Sequence, residues 1–329
     1  LLTVLSGLLL GVCQINLAPL AWVALAPFAL ATVGRPAKAS FLLGLVVGGL
    51  AGSALYGTLA YGQHIFYSLV VYCALNMGVV GAIQSRLLGR IHPWVDFFVP
   101  ALAWTALEYV RRLSPVSFPI SLSATQAQLL PLLQIARWTG GHGVSLLVAL
   151  PSGLLLVWAL RRRFPWPQAV ALTVLLGLTL AYGGWRMATA EIGGPSVRLA
   201  GVQTAFPNWF YRVEPVSTEH RELMRRWLFD TTREAASRAD LVIWPETALH
   251  DRVLENPALE KTIRSMAQES GASIVASFYR ENELGLEHNS AVLFSPTGPL
   301  TWYDKRRLAG LAEWRLTPGE REEPLLTPH

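Results

Sequence analysis

With 329 residues, 52% of them hydrophobic and 15% charged, the chain falls well short of the roughly 25% charged residues usual in a soluble domain. Its formal charge of +5 does not indicate nucleic acid, because many of the basic residues sit between hydrophobic runs rather than on one amphipathic face or in a base-reading motif. Cys13 and Cys73 are the only two cysteines, both inside apolar runs, which excludes a disulfide framework and a Cys-x-x-Cys metal site and reads them as buried thiols.

Acidic residues are almost absent from positions 1–185, where Asp96 and Glu108 are the only two, and become dense from Glu191 onward. The shift divides the chain into a membrane domain at 1–185 and a water-soluble domain at 186–329. Apolar segments run over roughly 1–13, 17–33, 41–60, 65–83, 94–110, 144–160 and 169–185. Most approach the ~20 residues that cross a hydrocarbon core as a helix, so about seven helices are expected. The first is short and opens without methionine, which leads us to expect residues before Leu1. The six segments that follow it argue against a cleaved signal peptide. Arg35 and Lys38, Arg86 and Arg90, and Arg161 to Arg163 fall in alternate loops, while the opposite loops carry only Arg111, Arg112 and Arg137. The positive-inside rule puts the first set in the cytoplasm and everything beyond Trp185 on the other side.

Between Arg111 and His142 lies a long outer connection with Pro115, Pro119 and Pro131, a length that is either functional or poorly ordered. Its Phe118-Pro119-Ile120 and Leu129-Leu130 suit an interfacial dip near a lipid, and an ordinary inter-helix loop fits as well. Glu108, near the outer end of a span, is costly unless paired; it reads either as an intrahelical partner of Arg112 or as a functional acid. His64 and His142 have no partners at metal-ligand spacing, and no metal or other cofactor is expected. Trp94, Trp104 and Trp185 suit anchoring at the membrane interface.

Beyond Trp185 the pattern becomes β-type runs alternating with helical ones. Residues 196–202 read as a strand, 218–238 as an amphipathic helix with Leu223, Trp227, Leu228 and Thr231 on one side, 241–244 as a buried strand, 257–270 as a helix and 272–278 as another strand. Residues 290–294 and 300–303 form a hairpin around Ser295-Pro296-Thr297-Gly298. Strand, helix, strand, helix, strand is an α/β layered domain.

Glu246 follows a buried strand and a proline, which turns its side chain out over the sheet edge. A carboxylate held there against a low-dielectric wall tends toward a pKa useful to a general base, although Pro245-Glu246-Thr247 equally suits the start of a turn. Lys305 follows the second hairpin strand, where an ammonium is placed to neutralise a developing oxyanion; taken alone, Lys305-Arg306-Arg307 also fits a solvated charged face or a contact with anionic headgroups.

Read together, Val202-Gln203, Trp244-Pro245-Glu246-Thr247, Asn289-Ser290-Ala291 and Tyr303-Asp304-Lys305-Arg306-Arg307-Leu308 resemble the first part of a nitrilase (carbon-nitrogen hydrolase) domain. That family uses a Glu, Lys and Cys triad on an αββα sandwich. Residues 100–108 (Pro-Ala-Leu-Ala-Trp-Thr-Ala-Leu-Glu) and 140–148 (Gly-Gly-His-Gly-Val-Ser-Leu-Leu-Val) are similar to segments of the bacterial apolipoprotein N-acyltransferases, which join such a domain to a polytopic N-terminal half. The resemblance spans nearly the whole chain. It implies a polytopic α-helical membrane domain followed by an extracytoplasmic α/β nitrilase-like domain, incomplete here, in a bacterial inner membrane. The implied reaction takes an acyl chain from a phospholipid onto a cysteine as a thioester. The chain then passes to the N-terminal amine of a diacylglyceryl-cysteine apolipoprotein. The resemblance assigns Glu246 as general base, Lys305 as the oxyanion-stabilising residue and Glu313 as the family's second glutamate. The partners expected are the phospholipid donor, the diacylated apolipoprotein and the bilayer, with the protein a monomer.

Three departures qualify that expectation. The arm after Glu313 is reduced to Trp314, Arg315 and Leu316 before Thr317-Pro318-Gly319, no cysteine follows Cys73, and the rest of the sandwich and a last membrane helix are missing. The chain therefore reads as a fragment, inactive alone, with sheet edges unpaired and an apolar face uncovered. Two other readings remain at this stage: a membrane-tethered amidase or nitrilase acting on a small substrate, and a non-catalytic lipid- or partner-binding protein with a degenerate nitrilase domain. A transporter fits poorly, since charged residues are nearly absent from the spans.

Overall fold

The computed structural model describes all residues except 16, 58–62, 114–120, 191–192, 195, 205–217, 250, 310–312 and 327–329, with the backbone alone at 56–57 and 63–65. Phe118-Pro119-Ile120 and the side chain of His64 lie outside the described residues. The chain falls into two compact units, Leu1–Glu191 and Ile192–His329.

The first unit is helical: α1 (Leu2–Ile15), α2 (Ala26–Thr32), α3 (Ala37–Gly57), α4 (Gln63–Gln84), α5 (Pro93–Leu113), the short α6 (Leu130–Leu133), α7 (Ala136–Arg161) and α8 (Trp166–Thr189). Among the described residues four segments, Ala37–Leu55, Phe66–Gln84, Ala136–Arg161 and Trp166–Thr189, are long and apolar enough to cross a membrane, and Leu2–Ile15 and Ala18–Thr32 are apolar but shorter. Of the seven expected spans, α5 is long enough but carries Asp96, Glu108, Arg111 and Arg112 and does not join the four. Helices α3 and α4 lie close because Gly44 and Gly48 face backbone: a Cβ at either would stand 2.2 Å from the carbonyl oxygen of Met77 or Cys73. Small residues of this kind let helices approach where lipid supplies no hydrophobic drive. In α7 the backbone breaks at Gly140, with φ 62° and ψ −174°, a conformation open to glycine.

Helix α5 buries one stripe. Phe97, Ala101, Trp104, Glu108 and Arg111 are all buried, spaced by three and four residues as one helical face. This corrects two expectations. Trp104 is 5% exposed, so it is a core residue rather than an interfacial anchor. Arg112 lies off the stripe and is exposed. Glu108 pairs instead with the Trp104 indole N–H at 2.5 Å, the Leu122 N–H at 2.9 Å and the Ser121 hydroxyl at 3.3 Å, with His142 Nδ1 at 3.7 Å.

Among its described residues the second unit carries a five-stranded sheet in the order β1 (Leu199–Gly201), β2 (Leu241–Ile243), β3 (Ser273–Glu281), β4 (Glu287–Phe294) and β5 (Thr301–Asp304). β1, β2 and β3 are parallel neighbours; β3, β4 and β5 form an antiparallel meander. Helices α9 (Thr218–Ala236) and α10 (Pro257–Ser270) connect the parallel strands, as parallel pairing requires. The start of α10 is fixed by Asn256, whose side chain accepts from the Ala258 and Leu259 N–H groups, and its end by Gly271 at φ 72°. Leu228, Val242, Ile263, Ile274, Ala276, Phe278, Val292 and Phe294 share the core between helices and sheet. Leu199 and Ile243 are exposed.

The buried face of α9 differs from the expected one. Met224, Leu228, Phe229, Thr232 and Ala236 are buried, whereas Leu223 is 52% exposed. The stripe 224, 228, 232, 236 includes a threonine, whose hydroxyl is satisfied by bonding to the Leu228 carbonyl and accepting from the Trp244 indole. Of the expected face Leu228 is buried, while Leu223 and Trp227 are exposed.

Candidate active site

Three chain segments converge at the ends of β2, β4 and β5. After β2, the Trp244 N–H continues the ladder to the Val275 carbonyl and its buried indole donates to Thr232. Pro245 then ends the strand, and Thr247 takes a positive φ of 50°, an outlier for a β-branched residue. The turn is held by the Thr247 N–H donating to Ser277 Oγ at 3.2 Å and the Ala248 N–H to the Ser277 carbonyl at 3.1 Å. Strain fixed in this way is typical of positions where a side chain must be aimed, and here it aims Glu246. The expected low-dielectric wall is not found: the Glu246 side chain is 60% exposed.

At the end of β5 the Lys305 N–H donates to the Asn289 carbonyl at 2.8 Å, extending the β4–β5 pairing by one residue. Lys305 Nζ lies 2.8 Å from Glu246 Oε1 and 3.0 Å from Glu313 Oε2. Glu313 is buried and also accepts the Ala309 N–H at 2.5 Å. The run Lys305-Arg306-Arg307 thus splits: Lys305 turns inward, while Arg306 and Arg307 are exposed and Arg306 pairs with Glu322. A cavity of about 500 Å³ beside Lys305 is lined by Tyr303, Arg306, Arg307 and Gly319.

One side chain at the centre was not among the candidate residues. Asn289 donates from Nδ2 to Glu246 Oε1 and to Glu313 Oε1, each at 2.6 Å, tying together the two carboxylates that flank the ammonium. It stood in the sequence only as part of Asn289-Ser290-Ala291. Asn289 is buried in β4, and a buried amide must find partners, but its neighbours Glu287, His288 and Ser290 are polar too, so it did not stand out in the sequence. Tyr279 stands directly across the ladder from Asn289.

Charge follows from these contacts. Burial alone would pull the Lys305 ammonium down, but its bonds to Glu246 and Glu313 outweigh that and hold its pKa above the ordinary lysine value. Burial would likewise raise Glu313, but the Ala309 N–H, the Asn289 amide and Lys305 outweigh it and keep its pKa below the ordinary carboxylate value. Burial, then the carboxylates of Glu313 and Glu246, push the Tyr279 phenol up. At neutral pH Lys305 is an ammonium and Glu313 a carboxylate. An ammonium has three donors; with two turned toward glutamates, the third is available to an oxyanion, while the exposed Glu246 is accessible to an incoming proton donor.

The segment after Glu313 lies along the meander. Its Thr317 N–H donates to the Glu287 carbonyl and its Gly319 N–H to the Lys305 carbonyl at 3.0 Å. A Cβ at Gly319 would stand 2.2 Å from the Asp304 carbonyl oxygen. Trp314 is 71% exposed with Arg315 stacked over it at 4.8 Å. Gly310-Leu311-Ala312 lies outside the described residues.

Residues 6–154 match the family model described as the apolipoprotein N-acyltransferase N-terminal domain, and residues 198–329 the carbon-nitrogen hydrolase model. The apolipoprotein N-acyltransferase of Geobacter metallireducens is 34% identical over 328 residues, covering 91% of this chain and 61% of that protein. Those of Photobacterium profundum and Chlorobaculum tepidum are each 24% identical, covering 90% and 95% of this chain and 59% and 64% of theirs. The chain therefore spans about three-fifths of the length of the curated relatives it matches. Among solved structures, a carbon-nitrogen hydrolase from Helicobacter pylori G27 aligns at 21% identity over 40% of this chain and 48% of that one, with a TM-score of 0.30. The cluster of Glu246, Lys305 and Glu313 lies within the carbon-nitrogen hydrolase match, downstream of helices long and apolar enough to cross a membrane, which defines a membrane-bound protein of the carbon-nitrogen hydrolase class. With both halves matched in order, the chain is similar over nine-tenths of its length to bacterial apolipoprotein N-acyltransferases.

Proposed function

We propose that the protein transfers a fatty acyl chain from a phospholipid to the N-terminal amine of diacylglyceryl-cysteine in bacterial lipoproteins. The observation that carries this is the Glu246–Lys305–Glu313 cluster, bridged by Asn289, in a chain whose membrane half matches the N-acyltransferase model. The membrane half distinguishes this reading from a small-substrate amidase, and the intact ion network speaks against a degenerate domain.

In the proposed sequence a cysteine thiol, which residues 1–329 do not include after Cys73, loses its proton to Glu246 and attacks the phospholipid ester carbonyl. Lys305 stabilises the tetrahedral oxyanion. The C–O bond breaks, the proton returns to the leaving alkoxide, and a lysophospholipid departs from the thioester. The lipoprotein amine then attacks the thioester carbonyl and gives its proton to Glu246; the C–S bond breaks, releasing the amide, and the thiolate is reprotonated. Glu313 keeps Lys305 charged and aimed throughout. Covalent catalysis divides one transfer between two bulky lipids into two easier steps. We place the protein in the inner membrane as a monomer, with 1–185 as the membrane domain and 186–329 on the periplasmic side.

The test is to express the whole gene in cells depleted of their own N-acyltransferase and weigh the N-terminal peptide of a lipoprotein. A gain of one acyl chain is expected. Peptides that stay diacylated, with the protein inserted and intact, would refute the assignment.

A further inference from the structure

The sheet that holds the site carries a second, separate polar network. Successive residues of a strand point to opposite faces, so Tyr279, Asn289 and Lys305 have chain neighbours Arg280, Ser290 and Asp304 directed the other way. Those three neighbours are bonded to one another. Arg280 reaches Asp304 with Nη2 to Oδ2 at 2.6 Å and Nε to Oδ1 at 3.3 Å, and Ser290 donates its hydroxyl to Asp304 Oδ1 at 2.5 Å. Ser290 and Asp304 are also directly paired in the β4–β5 register. The Arg280 and Asp304 side chains are only 11% and 15% exposed, and the guanidinium lies 4.9 Å from the centre of the Trp302 ring.

We infer that Arg280, Ser290 and Asp304 act as a positioning unit that locks β3, β4 and β5 together beneath the site and thereby aims Asn289 and Lys305 at Glu246 and Glu313. An ion pair costs free energy to desolvate, and its return here is geometric. A planar bidentate contact fixes Asp304 in two directions, and Lys305 is the next residue. Ser290 fixes the same carboxylate from β4, next to Asn289. Among the described residues no side-chain hydrogen bond or ion pair joins any of the three to Glu246, Lys305 or Glu313, so their effect is transmitted through the backbone. Burial would raise the Asp304 carboxyl, but Arg280 and Ser290 outweigh it and hold its pKa below the ordinary range, so the unit is ionised at neutral pH. The meaning of this aim for catalysis rests on the acyl-transfer reading; the aim itself does not.

The chain has three lysines, Lys38, Lys261 and Lys305, of which Lys38 and Lys261 are exposed. The full chain in detergent is labelled competitively with acetic anhydride across a pH series, and acetylation at each lysine is quantified by mass spectrometry. Held protonated by two carboxylates, Lys305 should react more slowly than the other two in the parent. Arg280→Met separates positioning from simple charge, because the two predict opposite signs. Removing a nearby cation by itself would raise the Lys305 pKa and slow its acetylation, whereas loosening its aim should lower the pKa and speed acetylation by about threefold, the effect of a half-unit fall. Ser290→Ala removes no charge and should act in the same direction, and Arg280→Lys should restore only part of the protection. Unchanged or slower labelling of Lys305 in Arg280→Met would overturn the proposal, as would no change in Ser290→Ala. If the Trp fluorescence of Arg280→Met shows that the domain has unfolded in that variant, Ser290→Ala decides. Because the readout needs no turnover, its outcome is independent of whether lipoproteins are the substrate.

Discussion

Asn289 is the residue on which the geometry of the site turns, since one amide spans both carboxylates and Lys305 closes the triangle. Asn289→Ala removes the donor that Glu246 and buried Glu313 share, and a loss of about 1–3 kcal/mol is expected, measurable by urea titration of Trp fluorescence. The pH profile follows from two groups. The folded pKa of Glu313 is lowered from 4.5, so its contribution is fully present above that value and disappears as pH falls through the depressed one. That of Lys305 is raised from 10.5, so its contribution is fully present below 10.5 and is lost as pH rises through the higher value. Thermal unfolding across pH should show both limbs, and Glu313→Gln should flatten the acid one; an unaltered acid limb would remove Glu313 from the account. Glu246 and Lys305 were candidates from their places after a strand and a hairpin, and Glu313 only through the family resemblance; the exposure of Glu246 and the bridging by Asn289 were not legible. The bridge depends on β3 and β4 bringing Asn289 to a residue 43 positions away, which local pattern does not encode.

Element by element, strand and helix identities in 196–304 follow from periodicity, and the observed strands differ from the expected ones by a few residues at their ends. The face of α9 followed only in part: Leu228 is buried as expected, but Met224, Thr232 and Ala236 complete its stripe, while Leu223 and Trp227 are exposed. The two faces make opposite predictions. Met224→Ala, at a buried site, should cost about 2–5 kcal/mol, whereas Leu223→Ala should stay within about 0.5 kcal/mol; reversed costs in denaturant titrations would restore the first reading. In α5 the stripe 97, 101, 104, 108, 111 mixes Trp104, Glu108 and Arg111 into one buried face, which hydropathy alone treats as an interrupted span. At the α3–α4 contact, Gly48→Val would press against the Cys73 carbonyl, and a sharp fall in the yield of monodisperse protein in detergent is expected.

For the molecule as a whole, the division between an apolar helical half and a charged α/β half was plain from the distribution of acids, and each half carries its own polar cluster: Glu108 with Trp104, Ser121 and Leu122 in one, Glu246 with Lys305, Asn289 and Glu313 in the other. The proposed orientation predicts that alkaline phosphatase fused after Ala190 is active in cells, whereas fusions after Arg90 are not; the reverse pattern would invert the topology. The most direct test of the central claim uses the protein expressed from its whole gene, reconstituted in vesicles whose phospholipid carries a radiolabelled acyl chain. The account predicts hydroxylamine-labile label on the protein that chases onto a diacylglyceryl-cysteine peptide, and no label in Glu246→Ala or Lys305→Ala proteins that remain folded. Label of the same yield in either variant, or none in the parent, would contradict it.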